Sequence, residues 1–352
     1  MEYITVKELF KITKGKKVEE IDYENENSIR YIQIDDLRNN NNIKHCENIN
    51  KYVIAKKEDI IIAWDGANAG TIGFGIEGAI GSTLAILRKE NKEMDTEFCG
   101  LFLRSKSAYL REKCTGATIP HIQRTALEDI KIPKISLNKQ IEIKNIINKA
   151  QELIDKRKEQ IEALDELVKS QFIEMFGDIK NNPIGWEKIK IGDVFEIKTG
   201  ATPSRKENKY WDNGTIPWIK TTELKEIVIN NSEEYITEEG FNKSSVNLLP
   251  KNTLLIAMYG QGKTRGMTGK LGIEATTNQA CAAILPNPKE NMDFIWYQLK
   301  LSYEDLRDLG RGGSQPNLNT NLIKSYQLIF PPMELQNKFV QFTKQVDKLK
   351  FK

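Results

Sequence analysis

The chain has 352 residues, of which 39% are hydrophobic and 29% charged. This is an ordinary globular mixture of about two domains' length, which excludes a disordered chain, a collagen and a membrane protein. With 52 Lys and Arg against 49 Asp and Glu the net charge is only +3, so any hold on nucleic acid must come from local basic loops or be shared with a partner.

The N-terminus, Met1 to Thr5, has no basic start before an apolar core, so no secretory signal is expected. Ile4 and Val6 then alternate with polar residues ahead of Gly15, as in a strand closed by a turn. Short β-rich runs come next, including 59–66 and 79–87, punctuated by glycine and asparagine. A helix is expected over 97–113. From 138 to 176 proline and glycine are absent, and Ile143, Ile147, Ala150, Ile154, Ile161, Leu164, Val168 and Met175 recur at spacings of three and four. That is a heptad seam, interrupted by Arg157 and Gln171. At ~38 residues and ~1.5 Å each, such a helix is ~57 Å long, more than a globular core needs; it predicts a spacer, stopped by Gly177. Ile189 and Ile191 open a second series of strands, and a second helix is expected over 294–309. A last, shorter helix carries Leu335, Phe339, Phe342, Val346 and Leu349, and is expected to pack antiparallel on the long one.

The two series are copies of one module. Ile4–Gly15 reappears as Ile189–Gly200, with the apolar positions and closing glycine in register. Asp59-Ile60-Ile61-Ile62-Ala63-Trp64-Asp65-Gly66 matches Thr253-Leu254-Leu255-Ile256-Ala257-Met258-Tyr259-Gly260. Gly116-Ala117-Thr118-Ile119-Pro120-His121-Ile122 matches Gly312-Gly313-Ser314-Gln315-Pro316-Asn317-Leu318, and that register continues through Gln140 and Gln336. The division this predicts is a first domain over 1–137, a helical spacer over 138–177, a second domain over 178–334 and a short C-terminal helix over 335–352.

Motifs that suggest catalysis fail on context. Ala257–Thr264 fits a relaxed phosphate-binding loop, but glycines at 266, 269 and 272 argue against the helix such a loop requires. Gly73-Phe74-Gly75-Ile76-Glu77-Gly78 fits a dinucleotide fingerprint in letters only; hairpin glycines between strands are expected instead. The two histidines, His45 and His121, lack ligand-spaced partners, and His121 stands where the other copy has Asn317. The four cysteines lie far apart, without metal or disulfide spacing. Asn182-Pro183-Ile184-Gly185-Trp186 lacks the second proline and following aromatic of an amino-methyltransferase. The chain is therefore expected to be non-catalytic, without a cofactor or metal of its own.

Two similar heads on a long helix pair suit a target that repeats along an axis, as duplex DNA does. Loop residues able to hold phosphates or base edges are Lys14, Lys16, Lys17, Gln123 and Arg124 in the first module. In the second they are Thr202, Ser204, Arg205, Lys220, Gln261, Lys263, Arg265, Asn278, Gln279, Arg311 and Gln315. The competing readings are a nucleotide-dependent enzyme using Gly262-Lys263-Thr264, and a coiled-coil adaptor with two ligand-binding heads.

The chain resembles the specificity subunits of type I restriction–modification systems. The residues that carry the likeness are Gly200-Ala201-Thr202-Pro203-Ser204, Asn182–Trp186, Gly312–Leu318 and, most telling, Leu167-Val168-Lys169-Ser170-Gln171-Phe172-Ile173-Glu174-Met175-Phe176-Gly177-Asp178. The resemblance implies an α+β protein of two target recognition domains in pseudo-two-fold arrangement, separated by long antiparallel coiled-coil helices. Each domain would read half of a split DNA site, and Leu164, Val168, Phe172, Met175 and Phe176 would dock modification subunits. Its implied partners are double-stranded DNA, two modification subunits that bring S-adenosylmethionine, and optionally a restriction subunit bringing ATP and Mg, all in the cytoplasm and away from membranes. The second helix is shorter than the first and lacks the Phe-Ile-Glu-Met-Phe-Gly close. Either the N-terminal residues and another chain complete that end, or the sequence comes from a truncated or recombining locus.

Overall fold

A computed structural model describes residues 2–22, 26–90, 93–116, 118–260, 262–310 and 317–350. The chain forms two compact units, 1–157 and 158–352.

In the first unit β1 (Tyr3–Thr5) leads into a one-turn helix α1 (Val6–Leu9), started by a capping box in which Thr5 and Glu8 each satisfy the other's backbone amide. Then come β2 (Phe10–Lys14), β3 (Glu20–Ile21), β4 (Ser28–Ile32), β5 (Lys44–Glu47), β6 (Ile54–Ala55) and β7 (Ile60–Ala63). β8 (Ile72–Phe74), β9 (Gly78–Ile80) and β10 (Leu84–Lys89) follow. Strands β2 to β10 make two sheets, ordered β2-β10-β7-β8 and β3-β5-β4-β9-β6. β7 is apolar at every position because both of its faces are covered. Ile60 and Ile62 join a core with Val6, Leu9 and Phe98, while Ile61 and Ala63 join another with Ile32 and Ile80.

Of the glycines of 73–78 only Gly75 lies between strands; Gly73 is inside β8, Gly78 opens β9, and the two strands do not form the expected hairpin. β8 pairs with β7, whereas β9 pairs with β4 and β6 in the other sheet. Gly78 has φ +148°, and a Cβ there would stand 2.3 Å from the Arg30 carbonyl oxygen; only glycine allows that crossing. The run 79–87 is likewise two strands, parted by a turn at Gly81.

The helix expected over 97–113 is two helices, α2 (Thr96–Ser105) and α3 (Ser107–Glu112), with Lys106 at ψ 4° between them. The unit closes with α4 (Arg124–Glu128), β11 (Lys131–Pro133) paired to β1, and the start of α5 (Leu137–Phe176).

The second unit repeats this order with β12 (Lys188–Lys190), α6 (Ile191–Val194), β13 (Ile197–Thr199), β14 (Ile216–Ile219), β15 (Val228–Ile229), β16 (Glu234–Ile236) and α7 (Glu238–Asn242). Next are β17 (Leu254–Ala257), β18 (Thr268–Leu271), β19 (Thr276–Thr277), β20 (Cys281–Ile284), α8 (Met292–Leu301), α9 (Tyr303–Leu309), α10 (Thr320–Ser325), β21 (Gln327–Ile329) and α11 (Met333–Lys350). Its main sheet, β13-β20-β17-β18-β15, matches β2-β10-β7-β8 with one added strand. The helix expected over 294–309 also breaks, at Ser302. The copies agree in detail. Asp95 and Asn291 cap α2 and α8 through their side chains, and buried Gln140 and Gln336 donate to the carbonyls of Ile135 and Pro331.

α5 runs for 40 residues and ends at Gly177, whose φ of +76° and amide bond to the Ile173 carbonyl make a left-handed cap. Its last four turns pack antiparallel on α11: Phe172 and Phe176 meet Phe339, and Lys350 pairs with Asp165 at 2.6 Å. Between them the two helices place Val168, Phe172, Phe176, Phe339 and Val346 in the second unit's core with Phe294 and Leu299. Further back Ile146, Ile147, Leu153 and Ile154 are exposed, so the seam meets the second unit's core from Leu164 onward, while Ile143 packs on the core of the first unit. Among the described residues no helix is long and apolar enough to cross a membrane.

Candidate nucleic-acid interface

In the second unit three loops meet at the ends of β13, β14 and β19. Their approach depends on Gly200, where a Cβ would stand 1.9 Å from the Thr277 carbonyl oxygen. Thr202 Oγ1 donates to Gln279 Oε1 across two of these loops. The Arg205 guanidinium lies 3.6 Å from the centre of the Trp211 ring and 4.8 Å from that of Trp218. Both indoles are themselves fixed, Trp211 to the Ser204 carbonyl at 3.1 Å and Trp218 to the Ala201 carbonyl at 3.0 Å. Glu234 accepts from Arg205, and Lys220 pairs with Glu234 at 2.8 Å and with Glu233 at 3.0 Å.

The hydrogen bond from Arg205 holds the Glu234 carboxyl below its usual range against the opposing effect of burial, with Lys220 adding to it. In Lys220, hydrogen bonds to Glu234 and Glu233 push the ammonium up. A guanidinium stacked on an indole and pinned along one edge is preorganised, with its remaining donors available to a phosphate or a base edge. The expected Thr202, Ser204, Arg205, Lys220 and Gln279 are thus brought together. Asn278 is beside them, but its side-chain oxygen accepts from the Ala280 amide and shapes its own turn.

Lys263 and Arg265 belong to a different support. Their loop is tied to α9, where the Tyr303 hydroxyl donates to the Lys263 carbonyl at 2.6 Å. The loop passes through turns into β18, with no helix behind Gly262-Lys263-Thr264 to face a phosphate. Gln261, Arg311 and Gln315 lie outside the described residues.

In the first unit Lys14, Lys16 and Lys17 stand at and beyond the end of β2, with Lys14 and its neighbours largely open to solvent, and Lys14 pairs with Asp65 at 2.7 Å. Gln123 and Arg124 are exposed at the start of α4; Arg124 donates to Glu128 one turn on at 2.7 Å. Asp65 also accepts from His121, a residue that sequence reasoning set aside. Its partner is 56 residues away, so no local spacing could reveal it.

Of the expected docking residues, three are taken up by the core. Val168, Phe172 and Phe176 are buried, the two phenylalanines fully, and Leu164 and Met175 pack against the same core. Aromatic rings that fill a core have no face left for a partner. On this stretch of α5 the exposed apolar side chains are Leu167 and Ile173. Among the described residues no three His, Cys, Asp or Glu side chains cluster to hold a metal ion.

The doubled fold agrees with sequence comparison. The profile of the family described as "Type I restriction modification DNA specificity domain" matches residues 1–163 and again 183–352. The chain belongs to this family. It is 26% identical over 377 aligned positions to the type I restriction enzyme MjaVIII specificity subunit of Methanocaldococcus jannaschii, covering 99% of this chain and 86% of that one. The EcoR124I/EcoR124II specificity subunit of Escherichia coli is 26% identical over 173 residues, 48% of this chain and 42% of that one. In fold the chain is similar to the crystal structure of a type I restriction–modification S subunit from M. genitalium. There the TM-score is 0.61 at 18% identity, over 99% of this chain and 90% of that one.

Proposed function

We propose that this specificity-family chain is the DNA-recognition subunit of a type I restriction–modification system and performs no catalysis itself. Each unit reads one half of a bipartite, asymmetric site through the loops at its strand ends. The observation that carries the reading is the pinned Arg205, held by Trp211 and Glu234 with Lys220 beside it on a surface of convergent loops. This is a rigid presentation of hydrogen-bond donors that costs little side-chain entropy on binding. Direct readout asks for donors and acceptors on fixed supports, and Thr202, Gln279, Arg205 and Lys220 supply both.

On this reading the 40-residue helix sets the gap between half-sites, and modification subunits, two to a complex, bring S-adenosylmethionine. ATP and Mg belong to a restriction subunit where one joins. Docking of modification subunits falls to the exposed face of α5, with Leu167 and Ile173, rather than to the buried rings. The test is to sequence methylated adenines in the host genome with and without this gene. A split motif that vanishes with the gene is the expected result; an unchanged methylation pattern overturns the reading.

A further inference from the structure

The two units build the same junction from different chemistry. In the first, the backbone after β7 is tied into place by Trp64 N–H to the Thr83 carbonyl at 2.7 Å and Ile122 N–H to the Trp64 carbonyl at 2.9 Å. In the second, Met258 N–H to the Ala280 carbonyl at 2.8 Å and Leu318 N–H to the Met258 carbonyl at 3.0 Å make the same ties. Three side chains meet at the first junction, from the end of β2, the loop after β7 and the late loop: Lys14, Asp65 and His121. The matched residues of the second copy are Thr199, Tyr259 and Asn317, all exposed. One frame therefore carries a lysine, a carboxylate and a histidine in one head and a threonine, a tyrosine and an asparagine in the other, as two heads reading unlike half-sites require.

Within the triad Asp65 lies beneath the other two. Its side chain is 14% exposed, whereas those of Lys14 and His121 are each 50% exposed. Lys14 Nζ reaches Oδ2 at 2.7 Å and His121 Nδ1 reaches Oδ1 at 2.6 Å. The His121 backbone bridges both Asp65 and Thr115, which fixes the ring from below. Burial pushes the Asp65 carboxyl up, but the hydrogen bonds from Lys14 and His121 outweigh it and hold the group below its usual range. An ionised carboxylate can only accept, so Nδ1 carries the proton and Nε2 is left for a partner outside the chain. Among the described residues the charged group in contact with the ring is Asp65, which also holds Lys14.

We propose that His121 is a DNA contact of the first recognition domain, donating from Nε2 of its imidazolium to an acceptor on the duplex beside Lys14, with Asp65 as its positioning residue. The inference rests on the DNA-recognition reading. A half-buried carboxylate that orients a lysine and a histidine outward strengthens binding although it adds negative charge to the face that meets DNA.

The test uses the full chain and a pool of random-sequence duplexes, with binding and sequence selection measured between about pH 5.5 and pH 8. The wild type is expected to bind about tenfold more weakly at the upper end of this pH range than at the lower end, the worth of one charge-assisted hydrogen bond. His121→Asn, which installs the second copy's residue on the same frame, is expected to bind weakly and without that pH response. Asp65→Asn is expected to weaken binding, where charge alone predicts tightening. Thermal unfolding of both variants is measured alongside, so that a loss of fold is told apart from a loss of contact. A uniform loss in His121→Asn across sequences, with a salt slope reduced by about one, identifies a phosphate acceptor; a preference lost at one position identifies a base edge. A wild-type pH response retained in His121→Asn, or tighter binding by Asp65→Asn, overturns the proposal. Should the wild type select no sequence at all, sequence-specific recognition fails, while the pH comparison on the unselected pool still decides the contact.

Discussion

Arg205 combines three restraints that are individually weak: an indole face, a carboxylate edge and an exposed loop. Arg205→Ala is expected to reduce affinity for duplex DNA about tenfold and lower the slope of log affinity against log salt by about one, read by anisotropy titration at several salt concentrations. Arg205→Lys keeps the charge but neither the planar stack nor the bidentate edge, so it restores the salt slope without restoring the affinity. The tie to Glu234 also has a pH sense. The folded-state carboxyl sits below its usual 4.5, so its contribution is complete above that value and fades as pH falls through the lower one. Glu234→Gln should therefore flatten the acid limb of a thermal-stability profile. Arg205, Lys220 and Gln279 could be proposed from sequence as polar residues after strands. Glu234 could not, because it comes beside this loop only once β14 and β16 are paired, and Trp211 could not, because only the fold of its loop lays it against Arg205. His121 was hidden for the same reason and by the repeat itself: comparison with Asn317 showed that the chemistry was not shared, which concealed that it differs between the heads.

The long helix was legible because its period of three and four persists across ten turns and Gly177 stands where the chain must turn left-handed. A Cβ on Gly177 would lie 2.7 Å from Pro183 and the φ is +76°, so Gly177→Ala is expected to cost about 1–3 kcal/mol in urea unfolding. The seam was half right, since its pattern does not say how far a partner helix reaches. Phe172 sits among four aromatic rings and is fully buried. Phe172→Ala is therefore expected to destabilise the second unit by about 3–5 kcal/mol, while Leu153→Ala, at 57% exposure, should change stability by less than about 0.5 kcal/mol. The same ranking separates core from docking surface. Leu167→Asp should leave folding intact and weaken capture of a modification subunit, whereas Phe172→Ala acts through stability. The joints at Lys106 and Ser302 left no mark in the sequence because each is made by a backbone ψ near zero, with neither proline nor glycine at the joint.

At the scale of the whole chain, duplication explains how one fold can carry two unlike loop surfaces, which the proposed asymmetric specificity needs. The shared ladder, caps and buried glutamines fix where loops are presented, and loop chemistry is then free to diverge, as the Lys14–Asp65–His121 triad and its uncharged counterpart show. A bipartite site also needs a fixed separation. A continuous helix can supply this because its rise of ~1.5 Å per residue is set by backbone hydrogen bonds and not by side chains. Four helix-forming residues inserted near Gln160 extend α5 by ~6 Å and leave the C-terminal part of the helix rotated by a net ~40°, close to one full turn. At ~3.4 Å per base pair the recognised gap is expected to lengthen by one to two base pairs while both half-sites keep their sequences, read by mapping methylated adenines. Two inserted residues would instead rotate that C-terminal part by roughly 200° and are expected to abolish methylation. An unchanged gap after the four-residue insertion would remove the helix from its role as spacer, leaving the recognition loops as they are.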